Sequence, residues 1–151
     1  MPRRSPVFAL IHVVWATARR RPLLPQAFDT SLGALLGAKA KERGCVLLVA
    51  GFASDHVHLV VRQAASIALA DLVGPMKGAS AFDVNHQHLL PHRLAWQGGY
   101  WAESLCPADL PSLASYFRRQ RQHHDDSHPA ERWQFGDHEG EPAEGRLLAP
   151  F

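Results

Sequence analysis

The chain has 151 residues, of which 46% are apolar and 20% are charged. This length supports one hydrophobic core, and the apolar content excludes a wholly disordered chain. Residues 1–122 hold 14 Lys/Arg against 7 Asp/Glu, a net charge of +7, whereas residues 123–151 hold 2 against 7, a net charge of −5. The basic part suits a polyanion such as nucleic acid, although a solvated basic surface explains the charge equally well.

Cysteine usage and hydropathy indicate the compartment. Cys45 and Cys106 are far apart and form no CxxC motif, so we expect two buried, inert thiols in a reducing environment. No apolar signal segment follows Arg3 and Arg4, and no apolar run of about 18 residues exists that would span a membrane. We therefore expect a cytoplasmic protein.

The first half of the chain predicts three strands and a helix. A β-branched and aromatic run predicts a strand over residues 7–17, and leucines and alanines at helical spacing predict a helix over 26–43 that ends at Gly44. Further strands are predicted over 45–52 and 56–62. The three-residue link between them demands an antiparallel hairpin, because a parallel return needs a crossover of about a dozen residues.

A second helix is predicted after this hairpin. Ser66 is suited to cap it, and Gly74-Pro75 is expected to kink or interrupt it before it resumes over 76–85.

The rest of the chain predicts two short strands and one more helix. The strands cover residues 94–96 and 100–105, with a glycine pair between them. Pro111 suits the first turn of the helix, which ends near His123 and His124.

This order of elements predicts an α+β fold in which helices cover one face of a mainly antiparallel sheet. Such an arrangement is a ferredoxin-like, RRM-like sandwich. We assign it to a single domain, residues 1–124. Residues 125–151 are acidic and rich in Gly and Pro, and we expect them to form a loosely ordered tail.

Two histidines in the third predicted strand form a candidate metal site. His56 and His58 are two positions apart, so both side chains project from one face with Cβ atoms roughly 7 Å apart. On the open face of the sheet the two rings stay solvated, which costs little free energy, and both can bind one ion. A purely structural role would require hydrogen-bond partners for two buried rings. Asp55 is either a ligand, a partner that fixes a ring tautomer, or simply a turn residue.

A tyrosine and a glutamine on the last predicted helix are the other candidates. Tyr116 and Gln120 are four positions apart and share a helical face. A tyrosine in this setting is more often a packing residue, but Arg118, Arg119 and Arg121 beside it would bring a phosphate backbone near its hydroxyl.

Taken together, these segments resemble a known family. The motifs DHVHLVV (55–61), WQGGY (96–100) and YxxxQxxHH (116–124) resemble the single-tyrosine HUH transposases. These are the TnpA-type enzymes of minimal bacterial insertion sequences and their REP-associated relatives. HVVWAT (12–17) and MKGAS (76–80) support the resemblance, which extends over residues 7–124.

The resemblance implies a reaction and its residues. His56, His58 and Gln120 would bind Mg²⁺ or Mn²⁺, and Tyr116 would attack a phosphodiester to form a 5′-phosphotyrosine. Mn²⁺ suits this mixed nitrogen and oxygen set better than Mg²⁺ does.

The resemblance also implies partners. The substrate would be single-stranded DNA with hairpin ends, and the enzyme would be a homodimer in which the tyrosine helix of one subunit completes the other's site. Action on DNA would place it at the nucleoid. Candidate contacts to the DNA backbone are Arg3, Arg4, Arg19, Arg20, Arg21, Lys77, Arg118 and Arg119, and candidates for base stacking are Trp96, Tyr100 and Trp101.

Two departures from the family pattern keep other functions open. Arg119 replaces an asparagine that often precedes the glutamine, and residues 125–151 lack an amphipathic closing segment. The alternatives are a non-catalytic protein that binds DNA hairpins, and a metal-dependent hydrolase in which water attacks and Tyr116 is structural.

Overall fold

The computed structural model describes residues 6–122. Arg3, Arg4, His123, His124 and the predicted tail lie outside the described residues. Within the described part, four strands form one antiparallel sheet and three α-helices pack against it, which confirms the α+β fold. None of these helices is long and apolar enough to cross a membrane.

The sheet has the strand order expected of a ferredoxin-like fold. Its order is β2-β3-β1-β4, and each neighbouring pair is antiparallel, including the predicted β2–β3 hairpin. The strands are β1 (Ala9–Ala16), β2 (Val46–Phe52), β3 (His56–Gln63) and β4 (Trp101–Leu105). The predicted strand over 94–96 is reduced to a single bridge between Trp96 and Thr17.

The register of the two central strands decides which side chains share a face. In the β1–β3 ladder, His12 lies opposite Val60, and Val14 lies opposite His58. Because strand side chains alternate between faces, His12 shares its face with His56 and His58. Val13 and Trp15 point to the other face.

Two helices cover that other face, as the sequence predicts. They are α1 (Asp29–Glu42) and α2 (Leu69–His86), and their buried side chains form one cluster with Val13, Trp15 and Leu59. Gly44 follows α1 with a φ of +73°, a conformation that glycine adopts without steric cost.

Helix α2 differs from its prediction, because it runs without interruption through Pro75. Ser66 does not cap it, since the helix begins after Ala68 without a side-chain cap. Leu72, Val73 and Met76 are buried on both sides of the proline. Burial of three such side chains, at about 1.5–3 kcal/mol each, outweighs the roughly 3 kcal/mol cost of a proline inside a helix.

The third helix, α3 (Leu110–Arg118), lies on the face that the sequence left open. Its Phe117 is buried, and the ring centroid is 5.3 Å from the rings of both His12 and His58. The sheet is therefore covered on both faces, by α1 and α2 on one and by α3 on the other. The helix ends at Arg118, earlier than predicted, and a 3-10 turn over Gln120–Gln122 follows.

Candidate functional site

The paired histidines of β3 lie beneath α3. His56 and His58 are 6% and 1% exposed, and their ring centroids are 5.1 Å apart. The expectation that they stand on an open face is therefore wrong, because Phe117 and Gln120 cover them. Two buried imidazoles need polar partners, and the surrounding residues supply them.

Asp55 orients the His56 ring. Its Oδ1 lies 2.7 Å from His56 Nδ1, and its Oδ2 accepts a hydrogen bond from Arg20 at 3.0 Å. Burial raises the pKa of the Asp55 carboxyl, but the hydrogen bond from His56 and the charges of His56 and Arg20 outweigh burial and lower it. The carboxylate is thus ionised at neutral pH and accepts the Nδ1 proton, so in the neutral form of the His56 ring the lone pair lies on Nε2.

His12 does the same for the second histidine. Its Nε2 lies 3.0 Å from His58 Nδ1, and the two rings stack at a centroid distance of 5.2 Å. A proton on His58 Nδ1 that is donated to His12 leaves His58 Nε2 as the ligating atom. Sequence reasoning gave His12 no role. The available signal was a lone histidine in an apolar strand, on the face that the antiparallel register shares with His58.

Gln120 supplies the third candidate ligand. It is 3% exposed, and its Nε2 lies 3.0 Å from His56 Nε2, 64 positions away in the sequence. The described residues contain no group of three His, Cys, Asp or Glu that could hold a metal ion, so a site here requires the amide. Two imidazole nitrogens and an amide oxygen form a donor set that suits Mn²⁺ and is acceptable to Mg²⁺. The residues therefore fit a divalent cation.

Tyr116 lies beside this cluster in the same chain. The centroid of its ring is 6.3 Å from that of His58, and its side chain is half-buried. Tyr100, the other tyrosine, is 40% exposed in the loop before β4. The structure thus brings His56, His58, Tyr116 and Gln120 together. The exchange of α3 between two subunits stays a prediction.

Two contacts fix α3 and the following turn on the sheet. Phe117 packs directly on the backbone of Gly51 in β2, where a Cβ atom would lie 2.8 Å from the Phe117 Cβ. Arg121 donates to both carboxylate oxygens of Asp29, at 2.5 and 2.9 Å, and to the carbonyl of Leu24. These contacts hold Tyr116 and Gln120 beside the histidines. Neither the packing of Phe117 on Gly51 nor the ion pair of Arg121 was predicted from the sequence.

The basic candidates for DNA contact fall into two groups. Arg19, Arg21, Arg118 and Arg119 are exposed. Lys77 is half-buried, where burial lowers its pKa, and its ammonium donates to the carbonyls of Gln97 and Gly99. Its position explains how the glycine loop is held, and its contact with DNA stays a prediction.

The aromatic candidates also divide. Trp96 packs edge-on against Trp15 in the core and donates its indole N–H to Ser80, so it is a packing residue. Trp101 lies on the same face as the histidines and packs edge-on against His12. Of these two tryptophans, Trp101 is therefore the one that contacts a residue of the site.

Comparison with known proteins yields a consistent result. A family model described as "Transposase IS200 like" matches residues 8–120. The ISDra2 transposase TnpA of Deinococcus radiodurans is 27% identical over 95 residues, which cover 63% of this chain and 68% of that protein.

Two solved structures share the fold. One, from Deinococcus radiodurans R1 and solved as a candidate transposase, superposes with a TM-score of 0.60 at 24% identity, over 80% of this chain and 97% of that one. The other is a REP-associated tyrosine transposase bound to a REP hairpin, with a TM-score of 0.55 at 15% identity, over 82% and 74% of the two chains.

Proposed function

This chain belongs to the IS200-like transposase family, and from that premise we propose that it cleaves and rejoins single-stranded DNA through a 5′-phosphotyrosine on Tyr116. His56, His58 and Gln120 would hold Mg²⁺ or Mn²⁺ beside the scissile phosphate. The substrate would carry hairpins at the ends to be joined, and the enzyme would act in the cytoplasm, on DNA of the nucleoid.

One observation carries this proposal. The late segment that contains Tyr116 and Gln120 folds back onto the histidine strand, so that the phenol ring is 6.3 Å from the His58 ring and the Gln120 amide is 3.0 Å from His56. A nucleophile and a cation-binding set on adjacent side chains are what phosphodiester transfer requires. Packing alone would not require a tyrosine beside two imidazoles and a buried amide.

The bond changes balance without an external energy source. The Tyr116 oxygen forms a bond to phosphorus, and the bond from phosphorus to the 3′-oxygen breaks. The phenol loses one proton and the departing 3′-oxygen gains one, which leaves a free 3′-hydroxyl. The 3′-hydroxyl of another strand reverses these changes and joins new ends, because one phosphodiester has replaced another.

The cation would supply a positive charge at the scissile phosphate, which the side chains of the site do not provide. A tyrosine hydroxyl is a weak nucleophile at neutral pH, since its reference pKa is about 10. A divalent ion at the two histidines and Gln120 would neutralise charge that develops on the scissile phosphate. Asp55 and His12 contact the two imidazoles at Nδ1, which would leave both Nε2 atoms for an ion. The Gln120 amide, whose nitrogen faces His56 Nε2 in the structure, would turn its oxygen to that ion.

Hairpin recognition is the part of the proposal that rests on the relatives. The REP-associated relative was solved with a REP hairpin. In this chain, the exposed arginines Arg19 and Arg21 lie close in sequence to Arg20, which contacts Asp55 of the site. They would contact a phosphate backbone that leads to the histidines, and such contacts position DNA without reading its sequence.

The proposal is tested by trapping the covalent intermediate. Purified protein is incubated with Mn²⁺ and a labelled single strand that carries the palindromes flanking its gene, and the adduct is resolved on a denaturing gel. The wild type should form an adduct and Tyr116→Phe should form none. Tyr100→Phe is the matched control, because it removes the other phenol of the chain, and it should retain the adduct.

Three results separate this proposal from its alternatives. An adduct that persists in Tyr116→Phe would exclude the nucleophile. Free cleaved ends without an adduct would indicate a hydrolase that uses water. Hairpin binding with neither product would indicate a protein that kept the fold and lost the chemistry.

A further inference from the structure

A cavity of about 520 Å³ adjoins the candidate nucleophile. It lies between α3 and the outer strand β4, and Tyr116 forms part of its wall together with His12, Trp101 and Glu103. Its volume falls within the range of about 300–1,000 Å³ that is common for small-molecule sites. None of the reaction steps described above uses this space.

The wall combines an aromatic surface with one acidic group. Trp101 and Glu103 alternate along β4, and in the register with β1 they lie opposite Val14 and His12, on the histidine face of the sheet. Leu113 of α3 adds an apolar surface on the opposite side. A large aromatic ring that faces an aliphatic side chain is a typical environment for a stacked nucleobase.

The Glu103 carboxylate determines which chemical groups the cavity can bind. The other carboxylate of the wall, Asp109, accepts the backbone N–H of Cys106 and so caps the turn that precedes α3. Glu103 is half-buried and lies at the centre of β4. A carboxylate repels phosphate but accepts hydrogen bonds from the amino group of a base, as acidic side chains do with cytosine N4.

We propose that this cavity binds one unpaired base next to the scissile phosphate, and that Glu103 selects a base with an exocyclic amino group over thymine. The inference rests on the proposed function, since Tyr116, the proposed nucleophile, itself forms part of the cavity wall. A paired base keeps one amino hydrogen free in the major groove, but pairing and stacking hold it in the duplex, so it cannot enter a cavity between α3 and β4. The cavity therefore selects both for base identity and for single-strandedness.

The first experiment measures binding without catalysis. EDTA removes divalent ions, and fluorescence anisotropy compares labelled dC15 with dT15, two pyrimidine strands that differ in the amino group at position 4. A hydrogen bond to a charged group predicts about tenfold tighter binding of dC15. In Glu103→Gln the preference should fall to within about twofold, because an amide accepts from cytosine and donates to thymine.

A matched control separates base selection from general electrostatics. Glu42→Gln removes the same charge from an exposed position on α1, where the carboxylate is 3.7 Å from Lys39. Loss of a negative charge should strengthen the binding of both strands equally in this variant. The ratio of the two affinities should stay at the wild-type value.

A second experiment reports on the cavity itself. Cys45 is buried as expected, but the expectation that Cys106 is buried is wrong, since its thiol is exposed and contributes to the cavity wall. N-ethylmaleimide should therefore label Cys106 first, and Cys45 serves as an internal control. At equal saturation, dC15 should slow Cys106 labelling severalfold more than dT15 does.

The outcomes distinguish this inference from the proposed function. Equal affinity for dC15 and dT15, an unchanged ratio in Glu103→Gln, or equal protection of Cys106 would overturn the base site while leaving the covalent adduct untouched. Failure to bind either strand would also overturn the base site, while the proposed function would still be tested by the covalent adduct on hairpin-bearing DNA. A tenfold ratio that is lost only in Glu103→Gln, with selective protection of Cys106, would establish the site.

Discussion

Gly51 is the position where the smallest change should have the largest effect on the reaction. It lies in β2 on the histidine face, and α3 passes directly over it. In Gly51→Ala, the new Cβ atom would lie 2.8 Å from Phe117 Cβ, 2.9 Å from its Cγ and 3.0 Å from its Cα. Because the last of these is a main-chain atom, a change of rotamer cannot relieve the contact, and the helix itself must move.

The size of the movement follows from these distances. Carbon atoms are in favourable contact at about 3.5–4.0 Å, so α3 must retreat by about 1 Å. Tyr116 precedes Phe117 and moves with it. A displacement of about 1 Å can slow a positioned reaction on the order of 100-fold, while overpacking of this kind costs about 1–3 kcal/mol of stability.

The assay compares the rate of covalent adduct formation with the free energy of unfolding in urea. Gly78→Ala is the matched control, since Gly78 lies within α2 and a Cβ atom there meets nothing within 4 Å. It should leave the rate unchanged and stabilise the protein by about 0.5–1 kcal/mol. A folded Gly51→Ala protein that forms adduct within about threefold of the wild-type rate would refute the reasoning.

Three further predictions concern the same site. His12→Phe removes the partner of His58 Nδ1 and should weaken Mn²⁺ binding about 10–100-fold, as measured by electron paramagnetic resonance; an unchanged affinity would leave His12 with a packing role only. A mixture of Tyr116→Phe and His58→Ala proteins should form adduct, because the predicted exchange of α3 would join Tyr116 of one subunit to His58 of the other; no adduct would mean that one chain supplies both groups, as the distance between the two rings within one chain allows. Arg119→Gln and Lys77→Gln should each reduce the slope of log K against log salt by about 1, and Lys77→Gln should also lower stability because its ammonium holds the glycine loop; an unchanged slope would exclude a phosphate contact by the substituted residue.

Local patterns in the sequence were enough to predict the sheet. β-Branched runs and the short link after β2 predicted the antiparallel hairpin. The resemblance to the TnpA-type transposases was confirmed by the family match over residues 8–120. These features depend on spacing within short segments, which a sequence displays directly.

The remaining features depend on contacts between distant segments. Pro75 predicted a break in α2, but burial of Leu72 and Met76 on either side holds the helix together. The sequence could not show that α3 covers the histidines, because that depends on the close approach of Phe117 to Gly51. Periodicity places a side chain on a face of its own element, while the partner of that face is decided by tertiary packing.

The partners of the imidazoles illustrate the same limit. Asp55 adjoins His56 in sequence, so a role in fixing its tautomer was among the alternatives considered. His12 is 46 positions from His58, and only the β1–β3 register brings the two rings together. The polar partner of a histidine within an apolar strand is therefore found by examining each strand that can pair with it.

The central claim is that His56, His58 and Gln120 hold one cation beside Tyr116. Anomalous diffraction from a crystal soaked in Mn²⁺ tests it most directly. The account predicts a single manganese peak at bonding distance from Nε2 of both histidines and from Oε1 of Gln120, on the side that faces the Tyr116 ring. A manganese peak elsewhere, with none between the two imidazoles, would contradict it.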